Sequence, residues 1–152
     1  MIITRSTKLL WLSIALSIVH HADHILRIDH SGWPFLQRIS PFTYSLLVYP
    51  IFGFIFLVNK KLWFRVAAMA ILFLFSTTAH IFFEPMKDKF QTWAYGSNLA
   101  HHVGEQNMLD YNAEWLGVCS IIIAVALSLV LSITLLSFIK DARKQQLIII
   151  NN

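Results

Sequence analysis

Four apolar runs follow one another along the 152-residue chain, separated by polar stretches. We interpret them as helices at about 9–28, 42–58, 62–83 and 115–139. A helix needs roughly 20 mostly apolar residues to cross a ~30 Å hydrocarbon core, and the third and fourth runs reach this length outright. The first run reaches it only if its polar end, His20–His24, also lies within the membrane. The pattern predicts an all-α integral membrane protein, with residues 1–152 forming a single domain of four transmembrane helices in a bundle.

The stretches between the runs carry turn and cap residues. Ser40 and Pro41 are suited to the N-cap and the first turn of the second helix. Pro50 lies inside that run and predicts a kink, because proline lacks the N–H that an interior helical position needs. Residues 86–111 form the longest connection, and within it we expect a short interfacial helix at Asn98–Met108.

The composition supports a membrane protein and excludes several other classes. Hydrophobic residues make up 57% of the chain and charged residues 13%. In soluble domains about one half of the residues are apolar and about one quarter are charged. The apolar surface must therefore face lipid. The net charge of +4 comes from basic residues scattered along the flanks of the helices, which does not indicate binding to nucleic acid. The single cysteine, Cys119, excludes an intrachain disulfide and a cysteine-based zinc site.

The charges are distributed unequally between the two sides of the predicted bundle. One side has eight Lys and Arg residues and one acidic residue, a net charge of 8 − 1 = +7. The other side has four Lys and Arg residues and seven acidic residues, a net charge of 4 − 7 = −3. Basic residues concentrate on the cytoplasmic side, so we predict a multi-pass protein of a cytoplasmic-type cell membrane with both termini inside. Alternatively, the first run is a cleavable signal peptide. The polar segment His20–His24 directly after it favours a helix that is retained.

All seven histidines lie on the predicted outer, non-cytoplasmic side. Residues four apart on a helix lie one above the other on the same face, where both reach one metal ion. Three segments offer imidazoles and carboxylates at three- or four-residue spacing: His20 with His24, His80 with Glu84, and His101 and His102 with Glu105. Imidazole and carboxylate are the usual ligands of zinc and iron. The sequence therefore predicts a transition metal centre, zinc or iron, built from these seven residues at the outer end of the bundle.

Other polar residues lie close to these candidate ligands. Asp23 is interpreted as a general base or as a residue that orients a ligand, and Arg27 is placed to pair with it at i,i+4. Ser76 lies one turn before His80 and is a candidate catalytic hydroxyl. His21 is a reserve ligand.

Two partial resemblances suggest the chemistry. The motifs HHxxH at 20–24 and HHxxE at 101–105 resemble fragments of the histidine clusters of membrane di-iron hydroxylases and desaturases, although those families use more histidines, on the cytoplasmic side. Ser76, His80 and Asp23, taken with the first motif, resemble the serine, aspartate and three-histidine zinc set of seven-helix ceramidase-like hydrolases, with the motif order reversed and fewer helices. The second resemblance implies a zinc-bound water whose pKa falls to about 7.

Three functional classes remain open at this point. The first is a metal-dependent enzyme, a hydrolase or an oxygenase, acting on a lipid-like or small hydrophobic substrate. The second is a haem-binding electron-transfer protein in which His20 or His24 faces His80 across the bundle, since helix bundles hold cofactors between facing helices. The third is a non-catalytic metal-binding or accessory subunit, in a homo-oligomer or a larger membrane complex.

Overall fold

The computed structural model describes residues 4–27, 41–58, 61–82, 84–96 and 107–150. These residues form six helices: α1 (Arg5–Arg27), α2 (Pro41–Ser45), α3 (Val48–Leu57), α4 (Leu62–Phe82), α5 (Met86–Tyr95) and α6 (Glu114–Ile150). The described ranges contain no strand, so this part of the chain is all-helical, as the apolar pattern predicted.

Three of the described helices, α1, α4 and α6, are long and apolar enough to cross a membrane. Their outward faces carry large apolar side chains that are more than half exposed: Trp11, Ile18, Leu74, Ile122, Leu129 and Leu136. Extended apolar surface of this kind is suited to lipid rather than to water. The chain is therefore a multi-pass membrane protein.

The second predicted span is broken in the structure. A turn at Leu46 and Leu47 separates α2 from α3, and α3 has ten residues, a length of about 15 Å. Pro50 occupies the first turn of α3, where its missing N–H leaves no helical hydrogen bond unmade. The described residues contain three helices of spanning length, and the predicted count of four stays a prediction.

The α2–α3 segment nevertheless runs antiparallel to α1. Tyr49 hydrogen-bonds to His21 near the C-terminal end of α1. Further along, the ring of Phe56 lies 5.0 Å from that of Trp11, nearer the beginning of α1. The segment therefore returns the chain along α1 towards the start of α4.

The helix α5 was not expected from the sequence. It begins after Pro85, whose backbone is extended, and ends at Gly96, whose φ of 81° is readily adopted by glycine. The predicted helix at Asn98–Met108 lies largely outside the described residues, and its last two positions, which are described, form no helix.

The helix α6 extends well beyond its predicted end. Its apolar run stops at residue 139, yet the helix continues to Ile150 and reaches about 55 Å, more than a bilayer core requires. The polar segment 140–146 contains mainly strong helix formers and neither glycine nor proline, so nothing in it ends the helix. Apolar runs identify what lies in the membrane and do not fix helix ends.

The helices α1, α4 and α5 all pack against α6. Asp23 of α1 bonds to Ser120 near the start of α6, and Ser13 lies 3.1 Å from Thr134 further along, so α1 and α6 are antiparallel. The guanidinium of Arg65, at the start of α4, lies 4.4 Å from the ring centroid of Phe138, which makes α4 antiparallel to α6 as well. As a result α1 and α4 are parallel, and their C-terminal ends meet.

Candidate metal centre

The buried face of α1 is almost entirely polar. It contains one apolar residue, Leu10, among these polar ones: Ser6, Ser13, Ser17, His20, His21, Asp23 and Arg27. Polar side chains within the membrane are costly and face the interior of a bundle. The arrangement places the histidines and charges of α1 against other helices of the protein rather than against lipid.

Two histidines and a carboxylate converge at the C-terminal end of α1. The Nε2 atoms of His20 and His24 are 3.1 Å apart, and Nε2 of His24 is 3.1 Å from Oε2 of Glu84. One ligand atom from each of the three residues lies within 4.8 Å of the other two. The structure thus brings together the His20–His24 pair and Glu84, as the helical spacing and the predicted bundle implied.

His80 lies beside this group without a direct hydrogen bond to Glu84. Its ring centroid is 4.7 Å from that of His20, edge to face, and its Nδ1 is 3.7 Å from Oε2 of Glu84. That distance is too long for a hydrogen bond. Among the described residues, Nδ1 of His80 and Nδ1 of His20 are buried with no hydrogen-bond partner, which is costly and leaves both rings available to a ligand.

The same contact bears on the haem hypothesis. Two axial histidines must stand on opposite faces of a porphyrin, with the ring between them. The rings of His20 and His80 touch each other directly, so no such space lies between them here. The arrangement does not support this pair as haem ligands.

The carboxylate of Glu84 is buried and surrounded by cations. Nη2 of Arg27 donates to Oε1, and Nζ of Lys89 donates to Oε2. Burial by itself would raise the pKa of Glu84, but the charge of Arg27 and the hydrogen bond from His24 hold it well below its usual value. Burial lowers the pKa of Lys89, and the neighbouring Glu84 opposes that shift. Glu84 is therefore a buried anion held by two cationic side chains.

Asp23 is fully engaged in holding the helices together. It accepts hydrogen bonds from Nε of Arg27 at 2.9 Å, Nε1 of Trp93 at 2.9 Å and Oγ of Ser120 at 2.7 Å. The predicted pair of Asp23 with Arg27 is confirmed. These contacts tie α1 to α5 and α6 and fix the direction in which Arg27 reaches Glu84.

Several other predicted site residues stand apart from this cluster. His21 turns towards α2 and α3, where its ring nitrogens lie 2.8 Å from Oη of Tyr49 and 2.9 Å from Oγ of Ser45. Ser76 is half-buried, and in the described part of the chain no hydrogen bond joins it to His80. The remaining three candidate ligands lie outside the described residues: His101, His102 and Glu105.

Three residues of the network were missed in the sequence. Lys89 and Trp93 were assigned to a loop, although Lys89, Thr92 and Trp93 have the i, i+3, i+4 spacing of a buried helical face. That spacing was the available signal, and the lysine on the buried face concealed it. Ser120 lies in a long apolar run with other serines, and nothing in the sequence distinguishes it from them.

Comparisons with known proteins returned no matching family, no similar curated protein and no similar solved structure. The function is therefore inferred from the arrangement of the side chains.

Proposed function

We propose that this membrane protein is a metalloprotein in which His20, His24 and Glu84 bind one transition metal ion. The observation that carries the proposal is the convergence of two imidazole nitrogens and one carboxylate oxygen within 4.8 Å. The ligands come from separate parts of the chain, because Glu84 follows α4 and both histidines belong to α1. The packing of these segments brings the three ligand atoms near one another, which supports the proposal.

The spacing of the ligand atoms suits a small, tetrahedral metal site. Bonds of 2.0–2.1 Å to a tetrahedral ion place neighbouring ligand atoms about 3.3 Å apart. Two separations in the cluster, His20 to His24 and His24 to Glu84, are both 3.1 Å. The atoms of His20 and Glu84 lie within 4.8 Å of each other, so side-chain adjustment is needed to bring all three atoms to bonding distance.

Proton positions inferred from the contacts lead to the same conclusion. If Nε2 of His24 carries the proton, it donates towards both His20 and Glu84, and these two are left as acceptors. His20 must then be protonated on Nδ1, which is buried without a partner among the described residues. A metal ion in place of the shared proton would be bound by all three lone pairs.

His80 is the candidate for a fourth ligand, reached by rotation of its side chain. If His80 stays outside the coordination shell, the fourth position is open to water or substrate, as in catalytic zinc sites. We therefore propose a metal-dependent enzyme, a hydrolase if the ion is zinc and an oxygenase if it is iron, with a lipid-like or small hydrophobic substrate entering from the bilayer. The contacts of Asp23 favour a positioning role for this residue, and the catalytic role of Ser76 stays a prediction.

The charge distribution supports a location for the site. The ends of α1 and α4 that carry the cluster are opposite to the ends that carry most of the basic residues. By the positive-inside rule we propose that the cluster faces the non-cytoplasmic side of a cell membrane. A homo-oligomer or a larger membrane complex remains a prediction from the small size of the chain.

The test is metal analysis of the detergent-purified protein, with adjacent histidines as matched variants. We expect about one equivalent of a single transition metal per chain in the wild type. The His20→Ala and His24→Ala variants should retain less than a fifth of it. His21→Ala, whose side chain faces α2 and α3, should retain all of it. The proposal is wrong if the wild type binds no metal after loading, or if His21→Ala loses as much as His24→Ala.

A further inference from the structure

Lys89 is completely buried, which is unusual for a lysine. Its ammonium contacts Oε2 of Glu84, and His24 faces the same oxygen. Under the proposed function, on which this inference rests, that oxygen is the metal ligand. A protein cation therefore already occupies one side of the position that the metal ion would approach.

The charges around Glu84 make this competition strong. With neutral histidines the buried network sums to zero, because Arg27 and Lys89 balance Asp23 and Glu84. A divalent ion added to this network leaves a buried net charge of 2 − 2 + 2 = +2, and like charges repel far more strongly in a protein interior than in water. If the ammonium of Lys89 leaves, the sum falls to +1.

The helix that carries Lys89 is held in place, which limits how the charge can leave. At one end α5 follows directly on Glu84 and Pro85. Further along, Trp93 bonds to Asp23. Phe90 lies close to Gly117 of α6: a methyl group added at Gly117 would lie 2.9 Å from the backbone oxygen of Phe90. The helix cannot shift easily, whereas a lysine side chain has four flexible carbons. Withdrawal of the side chain is the movement that this packing permits.

We propose that Lys89 is a tethered cation that occupies the metal position at Glu84 in the empty site and withdraws when the ion binds. In this role Lys89 lowers the affinity of the centre for the ion. The carboxylate remains satisfied in both states, by lysine in one and by the metal in the other.

The first experiment measures Zn²⁺ affinity of the full-length protein in detergent after removal of metal with a chelator. Lys89→Met should bind Zn²⁺ roughly tenfold more tightly or better than the wild type, because one positive charge is gone from the buried site. Lys87→Met is the matched control, since Lys87 lies two residues earlier on α5 and is exposed, and it should bind like the wild type. Equal or weaker binding by Lys89→Met would overturn the inference.

A second measurement needs no variant and covers the case in which Lys89→Met fails to fold. Wild-type protein is treated with an amine-acylating reagent with and without Zn²⁺, and the modified lysines are identified by mass spectrometry. Lys89 should be protected in the empty protein and react when Zn²⁺ is bound, while Lys87 reacts equally in both. Protection of Lys89 under both conditions contradicts the inference.

The two proposals fail in different ways. If neither the wild type nor the two lysine variants binds Zn²⁺ or another transition metal, the proposed function fails, and the role of Lys89 with it. If the wild type binds the ion and Lys89→Met binds no more tightly, the metal centre stands and only the competition by Lys89 is refuted.

Discussion

The two halves of the buried face of α1 provide partners for their buried polar groups in different ways. The half nearer the N-terminus, at Ser6–Ser17, buries hydroxyl groups, and the half at His20–Arg27 buries ionisable groups. In the first half Oγ of Ser13 donates to the carbonyl of Leu9 at 3.0 Å while also lying next to Thr134. The hydroxyl of Ser13 is thus bonded within its own helix, whereas that of Ser6 donates to Oδ2 of Asp141 and accepts from Oγ of Ser137, both on α6.

The second half needs more partners from other segments. Asp23 and Arg27 form one pair along α1, but each also requires partners from other segments, such as Trp93 and Glu84. Charges cannot be left without partners in a membrane interior. A hydroxyl that bonds to a carbonyl of its own helix needs no partner from another helix. The comparison teaches that a hydroxyl bonded to its own helix, such as that of Ser13, tolerates loosened packing, whereas the charged half depends on the assembled bundle.

The largest effect should come from removing the central cation of the charged half. Arg27→Met leaves the carboxylates of Asp23 and Glu84 buried with only Lys89 as a charged partner in this network, which should cost about 3–5 kcal/mol. Denaturant unfolding in detergent measures it. Arg143→Met, at an exposed position of α6, is the control and should stay within about 0.5 kcal/mol of the wild type. Equal stability of the two variants would contradict the dependence of the charged half of α1 on its partners in the bundle.

The next effect tests the metal in the charged half directly. An ion at 100 times its Kd should stabilise the wild type by about 2.7 kcal/mol, because it binds only the folded protein. The gain should vanish in His24→Ala and persist in His21→Ala. Thermal unfolding with and without added metal measures the gain, and an equal gain in both variants would exclude the three-residue site.

A smaller effect should follow from forcing α5 away from α6. In Gly117→Ala the new methyl group would meet the backbone oxygen of Phe90 at 2.9 Å, and displacing that helix should cost about 1–3 kcal/mol. Gly53→Ala is the control, since nothing lies within 4 Å of its added methyl group. It should be neutral or up to about 1 kcal/mol more stable, because alanine favours a helix. Unfolding midpoints in detergent distinguish the two, and a Gly117→Ala variant as stable as the wild type would show that this contact yields easily.

The smallest effect should come from the hydroxyl half. Ser13→Ala removes one interhelical contact, to Thr134, and should cost about 0.6 kcal/mol. Ser128→Ala removes a hydroxyl that bonds within its own helix, to Ala124, and should cost less. The same unfolding assay applies. A loss for Ser13→Ala as large as that for Arg27→Met would remove the distinction between the two halves.

The sequence by itself determined the features that depend on helical repeat and on hydrophobicity. Apolar runs identified α1, α4 and α6, the three described helices long enough to span a membrane, and four-residue spacing identified the pair of His20 with His24 and that of Asp23 with Arg27. Such pairs need no tertiary information, because the helix alone places residues four apart on one face. Helix ends were less accurate, since good helix formers continue a helix into water.

Only the tertiary structure decided which of these groups meet. His20 and His21 are neighbours in sequence, yet one joins Glu84 and His24 while the other turns to Tyr49. Lys89 contacts the same carboxylate from α5, a helix that was not predicted from the sequence. Contacts between helices depend on which helix faces pack together and on the path of the chain between the helices. Both are properties of the whole bundle, and spacing along one segment does not determine them.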